Sequence, residues 1–250
     1  MANLYEIADY CDYRTRNADI PDFPGAFNGL QVENDEEIRK IGASVDAGLY
    51  PFELAVEEDV NLLLTHHGLF WNRIHPLTGI NYQKVHALME HQIALYSSHL
   101  PLDCHPHIGN NALLARYLEL EKEDTFLPYE GVDIGLVAEG IPRDELHERL
   151  METFDGKITA LEFGSDEPES IGILTGSGSS AVGKLREKGI DTLITGELRQ
   201  NHFNQAQEEG LNLYLCGHYA TEIFGVAALA EELSQKFDVP CVFLDTGCNL

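Results

Sequence analysis

The sequence predicts an α/β protein built as two similar lobes, each with a mixed, mainly parallel sheet flanked by helices. Three observations carry that prediction. Short runs rich in Val, Ile and Leu, the composition of strands buried on both faces, alternate with amphipathic stretches in the cadence of βαβ units. The cadence lapses once, into acid, proline and glycine over residues 121–131, and then resumes. The two stretches also echo each other. Leu63-Leu64-Thr65-His66-His67 resembles Leu193-Ile194-Thr195-Gly196-Glu197, and Leu95-Tyr96-Ser97-Ser98-His99 resembles Leu213-Tyr214-Leu215-Cys216-Gly217-His218 with one residue extra. The expected lobes are residues 1–125 and 126–250, with the last helix and strand able to pack back on the first lobe.

In order, apolar periodicity predicts a helix over residues 4–13, then a loop of Pro, Gly and Phe over 20–29 and a strand at 41–45. Pro51 suits the first turn of a helix over 51–58. A strand at 60–65 ends in His66-His67-Gly68. A helix over 82–91 and a strand at 93–98 follow, then a helix to about residue 120 capped by Asn110 or Asn111. The second half reads strand 132–138, helix 142–154, strands 158–163 and 171–175, helix 179–188 and strand 192–195. It closes with helix 201–209, strand 211–215, helix 220–236 and strand 239–244.

Bulk properties remove several function classes. A chain of 250 residues with 44% hydrophobic content and a mean hydropathy of −0.19 can bury a substantial core. No apolar stretch nears the ~20 residues of a membrane span, and the acidic first twelve residues have no basic start of a signal peptide. Five scattered cysteines without a CxxC pair indicate neither a disulfide framework nor a thiolate zinc site, so a reducing cytoplasm is expected. Sixteen Lys and Arg against 42 Asp and Glu give a net charge of −26, which repels nucleic acid and anionic membranes. The acid is dispersed over the sequence, as in a solvated coat, and points to adaptation to high salt, where self-repulsion is screened.

Chemistry concentrates at strand ends, where open α/β sheets bind ligands. His66 and His67, Asp103, and His218 with Glu222 supply three imidazoles and two carboxylates. Five such donors exceed what one divalent ion usually takes from protein and suit a pair of ions sharing a bridge. Adjacent residues on an extended segment point to opposite sides, so His66 and His67 would each serve one of two neighbouring ions. His218 and Glu222, four apart, share a face if the helix begins near Gly217. Facing lobes would put this metal site in the cleft between them. His86, His91 and His147 read as ordinary surface or satisfied histidines, and Cys104 and Cys216 as small buried fillers. Residues 178–184 have the spacing of a phosphate loop, but Leu185 replaces the magnesium-binding hydroxyl, so a turn feeding a helix is preferred. The turn Gly176-Ser177-Gly178 keeps backbone N–H groups that an anion could use.

The ordered set Thr65-His66-His67-Gly68, His99-Leu100-Pro101-Leu102-Asp103 and Gly109-Asn110-Asn111, continued by Thr195-Gly196-Glu197, Gly217-His218 and Thr221-Glu222, resembles the GTP cyclohydrolase I type 2 homologues. These are also known as the NGG-one-interacting-factor-three-like family, and the resemblance, to the short form, runs over nearly the whole chain. It implies that His66, His67, Asp103, His218 and Glu222 ligate two divalent ions, whether zinc, iron, manganese or cobalt. It also implies a two-lobed fold, a toroidal homohexamer with metal sites facing an inner cavity, and hydrolysis of GTP to formate and dihydroneopterin triphosphate by metal-activated water. Tyr219 stands where members carry a second His, outside the five ligands, and His202 comes slightly late for an early family His and receives no role. His99 and Glu197 are candidates for proton shuttling or for supporting the ligands, with no catalytic residue assigned. Arg73, Lys84 and Arg199 are the basic groups near the motifs that would offset the acid around a triphosphate. Two other readings stay open: a two-metal hydrolase of phosphoesters, and a non-catalytic metal-binding or partner-binding protein.

Overall fold

The computed structural model describes residues 2–35, 37–71 and 75–250, so Arg73 lies outside the described residues. The elements run α1 (Leu4–Thr15), β1 (Gly29–Val32), β2 (Ile41–Asp46), α2 (Leu49–Glu57), β3 (Leu62–His67), α3 (Ile80–Glu90), β4 (Ala94–Ser97), α4 (Leu100–Asp103) and α5 (Asn110–Tyr117). They continue with β5 (Lys122–Tyr129), β6 (Val132–Glu139), α6 (Arg143–Thr153), β7 (Thr159–Glu162), β8 (Ser170–Ser177) and β9 (Thr192–Glu197). The last are α7 (Asn201–Glu209), β10 (Asn212–Leu215), α8 (His218–Phe237) and β11 (Cys241–Phe243). The chain is therefore mixed α/β, with two sheets flanked by helices. Two compact units hold them, residues 1–102 with 225–247 and residues 103–224 with 248–250.

In the first unit a five-stranded sheet has the order β1-β4-β3-β2-β11. Its strands run parallel except β1, which pairs antiparallel with β4. Asn3 caps α1 by accepting from the Tyr5 and Glu6 N–H groups, two donors a helix start otherwise leaves unmet. Phe52, Leu63, Leu88, Ile93 and Leu95, all buried, pack one face of the sheet. The chain comes back to this unit late. β11 adds beside β2, and Glu232 on α8 forms an ion pair with Arg14 at 2.6 Å.

In the second unit six strands have the order β5-β6-β8-β9-β10-β7. β8, β9 and β10 are parallel, while β5, β6 and β7 join antiparallel. Leu114, Ala115, Leu118 and Leu120 share a core with Leu136, Ile171, Ile173 and Ile194. That packing puts α5 with the second sheet, whereas the sequence reading drew the boundary at residue 125. Apolar periodicity showed that α5 has a buried face but not which sheet covers it.

Local differences from expectation have local causes. Strand β5 lies where a boundary was expected because it is charged along its first half, and the short strand β1 starts where the expected loop over 20–29 ends, in a stretch given no element because it is only four residues long. The helix expected over 179–188 is two short 3₁₀ turns, Val182–Lys184 and Arg186–Lys188, ended by Gly189 in a left-handed conformation. Gly109, not Asn110 or Asn111, caps α5. The two asparagines are buried and tie elements together: Asn110 Nδ2 donates to Asp103, and Asn111 bridges the Ile134 carbonyl and the Thr175 N–H.

Candidate metal centre

In the first unit the parallel register sets β2, β3 and β4 side by side, pairing Ser44 with Thr65 and Thr65 with Ser97. The residues just beyond that level carry the chemistry. His66 is fully buried, and its Nδ1 lies 3.0 Å from the Ser98 carbonyl. A carbonyl only accepts, so Nδ1 carries the proton of that hydrogen bond. His67 Nδ1 lies 2.9 Å from Asp46, the last residue of β2, which sits opposite it in register. His99 Nδ1 lies 2.8 Å from Asp22, and both side chains are less than a tenth exposed. Nitrogens of His66, His67 and His99 all fall within 4.8 Å of one another, close enough to share an ion.

The expected divergence of His66 and His67 is not seen. Their rings lie 4.9 Å apart, and nitrogens of both fall in one cluster with His99. Asp22 is an anchor the sequence reading did not identify. Burial works to raise its pKa, but hydrogen bonds from His99, Asn28 and the Phe23 N–H, with the His99 charge, outweigh it and hold the carboxyl below its ordinary value. Asp22 also accepts from the Leu100 N–H, so it fixes both the tautomer of His99 and the start of α4.

In the second unit Asp103 ends the single turn α4 and accepts a 2.7 Å hydrogen bond from Asn110. His218 opens α8, and one turn later Glu222 lies 3.2 Å from its Nε2. Glu197, ending β9, holds the other ring nitrogen at 3.1 Å. The hydrogen bond to Glu222 is the main cause that pushes His218 up to about 9. Burial opposes the shift, and the Glu222 and Glu197 charges reinforce it. The first turn of α8 is seated by Thr221, whose buried hydroxyl accepts from the Gly176 N–H and donates to the Gly217 or His218 carbonyl. Gly176 has φ +66°, and a Cβ there would lie 2.1 Å from a Glu222 oxygen. Only glycine lets the backbone pass so close to the carboxylate.

Other residues singled out in the sequence resolve as follows. The Gly176 and Gly178 N–H groups are taken by Thr221 and by the Glu197 carbonyl, so that turn does not present them to an anion. Lys184 pairs with Glu187 on the surface. His202 Nδ1 lies 3.1 Å from the Arg199 backbone nitrogen at the start of α7, and the Arg199 side chain is exposed. Lys84 Nζ lies 3.4 Å from the Ala47 carbonyl, next in sequence to Asp46, and is a cation at the imidazole-bearing end of the first sheet. Cys216 is buried, and burial raises its thiol to about 12, as befits a filler.

Asp46, Asp22 and Thr221 act through other residues, and nothing in the sequence neighbourhood of Asp46 or Asp22 marks them, whereas Thr221 falls in the Thr221-Glu222 motif. Strand register alone brings Asp46 to His67.

The model of the Duf34/NIF3 (NGG1p interacting factor 3) family matches residues 24–249. A Deinococcus radiodurans protein named GTP cyclohydrolase 1 type 2 homolog is 39% identical over 230 residues, covering 90% of this chain and 87% of its own. The crystal structure of TTHA1606 from Thermus thermophilus superimposes with a TM-score of 0.85 at 38% identity, over 98% of this chain and 99% of that one. The structure of protein ybgI, described as of unknown function, gives a TM-score of 0.91 at 31% identity over the full length of both chains.

Proposed function

Because the chain belongs to the Duf34/NIF3 (NGG1p interacting factor 3) family, we propose that it binds two divalent metal ions and is a metal-dependent hydrolase of the GTP cyclohydrolase type. Its proposed ligands are His66, His67, Asp103, His218 and Glu222, and its proposed substrate is GTP or a related nucleotide. One observation carries the reading. Each of the three ligand imidazoles has Nδ1 against a carbonyl or carboxylate: Ser98 for His66, Asp46 for His67 and Glu197 for His218. Such outer partners orient metal-binding histidines and raise their basicity. The donor set, imidazole and carboxylate without thiolate, fits zinc, iron, manganese or cobalt.

When bound, such ions supply Lewis acidity and a water nucleophile at neutral pH. The chain's own residues do the rest. Asp22 fixes the orientation of the His99 ring through Nδ1, and that ring joins the His66 and His67 cluster. Glu197 keeps His218 in one orientation, and Asn110 holds Asp103.

The test is a product assay by mass spectrometry with metal-reconstituted protein and GTP, run beside Glu222→Ala with metal content measured in both. Formate and dihydroneopterin triphosphate from the wild type alone establish the reading. Intact GTP from a wild type that holds about two ions per chain removes GTP as substrate and keeps the metal site. Family membership also supports assembly as a homo-oligomer, with a toroidal hexamer expected. Light scattering at several salt concentrations checks it, and a monomer at all of them removes it. The net charge of −26 supports high-salt adaptation, which is wrong if molar salt lowers the melting temperature. No helix among the described residues is long and apolar enough to cross a membrane.

A further inference from the structure

Around the imidazole cluster of the first unit the chain spends aromatic surface in two short loops. Phe23 is 40% exposed, Phe27 54% and Phe70 46%, and Trp71, the one tryptophan of the sequence, is half-buried beside them. Trp71 stands perpendicular to the His99 ring, 87° at 4.7 Å, and nearly so to His67, 80° at 5.8 Å. Phe23 meets His99 at 5.7 Å. Exposed rings cost free energy in water, and an aromatic group set against polar imidazoles gives a ligand both a π-face and hydrogen-bonding neighbours.

These loops are built in place. Gln31 sits where the register of β1 shifts, a bulge of the kind that re-aims a side chain. Its amide nitrogen donates to the Phe27 carbonyl at 2.6 Å, and its amide oxygen accepts from the Leu69 N–H at 2.7 Å and the Phe70 N–H at 3.3 Å. One side chain thus staples the loop carrying Phe23 and Phe27 to the loop carrying Phe70 and Trp71. Gly68 makes room for it, since a Cβ there would lie 2.1 Å from the Gln31 amide. At its other end the Phe23 loop is pinned by Asp22 to His99, Leu100 and Asn28.

We propose that Trp71 and Phe23 form a stacking wall that seats a planar heteroaromatic ring of the substrate beside His66, His67 and His99, so that the first unit recognises the ring and not its phosphates. The charge of the molecule favours this division. With the whole chain at −26 and Asp22 and Asp46 both against the imidazoles, the surroundings disfavour an anionic tail despite Lys84, while a neutral ring is indifferent to the field. This inference rests on the proposed metal site for the identity of the reacting end, and its test is independent of that site.

The test uses full-length protein, zinc-reconstituted and separately chelator-treated, with guanosine and inorganic triphosphate as probes. Binding is read by equilibrium dialysis and, in the wild type, by quenching of the single tryptophan. The expected result is that guanosine binds and quenches while triphosphate alone does not bind. Trp71→Ala should then lose at least about tenfold in guanosine affinity, the scale of one base–aromatic stack. Trp71→Phe should stay within about threefold, and Gln31→Ala should weaken guanosine while zinc per chain is unchanged in all three. The wall is overturned if triphosphate binds and guanosine does not, or if Trp71→Ala binds guanosine as well as the wild type. It is equally overturned if Trp71→Ala loses its zinc, which makes the indole a prop for the imidazoles, or changes the oligomeric state, which makes the patch a contact between copies. A wild type that takes up no zinc removes the metal reading alone, because guanosine binding to the chelator-treated protein still decides the wall.

Discussion

The two sheets share one lattice and end it differently. In the first, β1-β4-β3-β2 are neighbours, and in the second β7-β10-β9-β8 are, each with its outer strand antiparallel and the others parallel. Even the register repeats. Leu63 pairs with Leu95 and Gly42, and Leu193 pairs with Leu213 and Gly172. At the end of the shared strand the first sheet has His66 and His67, and the second has Gly196 and Glu197. A Cβ on Gly196 would lie 2.7 Å from the His218 Cα and 2.6 Å from the Gly176 oxygen. The first sheet therefore carries its imidazoles on the strand, whereas the second clears its strand end so that a helix can bring them. One scaffold yields two ways of presenting a ligand, and the choice turns on the last two residues of one strand.

The largest effect should come from emptying either presentation. His66→Ala and Glu222→Ala should each lower metal affinity by about 100-fold or more, since loss of an outer partner alone costs 10–100-fold. Elemental analysis after dialysis checks this, and a variant with wild-type content is no ligand. The next effect compares the outer partners. Asp46→Asn and Glu197→Gln should each cost about 10–100-fold in metal affinity. If only one does, the two sheets are not equivalent supports. Thermal melts of the metal-free protein probe the cleared strand end. Gly196→Ala should destabilise by about 1–3 kcal/mol through overpacking. Thr221→Val should cost a similar ~1–3 kcal/mol, because it leaves the Gly176 N–H buried without its acceptor. A Gly196→Ala protein that melts like the wild type would show that α8 is not seated on the glycine.

The smallest effect is on pH. In the metal-free protein His218 has a pKa of about 9, above its ordinary 6.5, through Glu222 first and Glu197 second. Its charged form is favoured in the folded state, so the contribution to stability is full below about pH 6.5 and lost as pH rises through about 9. Melting temperature against pH should fall across that window and flatten in Glu222→Gln. An unchanged slope in the variant would assign the shift elsewhere.

The sequence made the shared lattice legible because parallel, doubly buried strands are continuous apolar runs, and the Leu-Leu-Thr and Leu-Tyr echoes fall on the repeating register of β3, β4, β9 and β10. The strand-end positions of His66 and His67, and the helical spacing of His218 and Glu222, were legible for the same reason: both follow from local period. The edge strand β1 and the charged β5 were not, since an edge can be short and polar and still pair. The helix misread at 179–188 shows the converse, a helical pattern cut short by glycine at 183 and 189.

What the sequence determined by itself is the chemistry available: imidazoles and carboxylates at strand ends, no thiolate pair, and an acidic surface. Tertiary structure alone decided which partner each imidazole meets. Asp46 reaches His67 through strand register, Asp22 reaches His99 across 77 residues, and Glu197 reaches His218 where β9 ends beside the start of α8. The reason is physical. Periodicity is a property of a few consecutive residues, whereas a hydrogen bond between distant side chains exists only after the backbone has closed the loop that joins them.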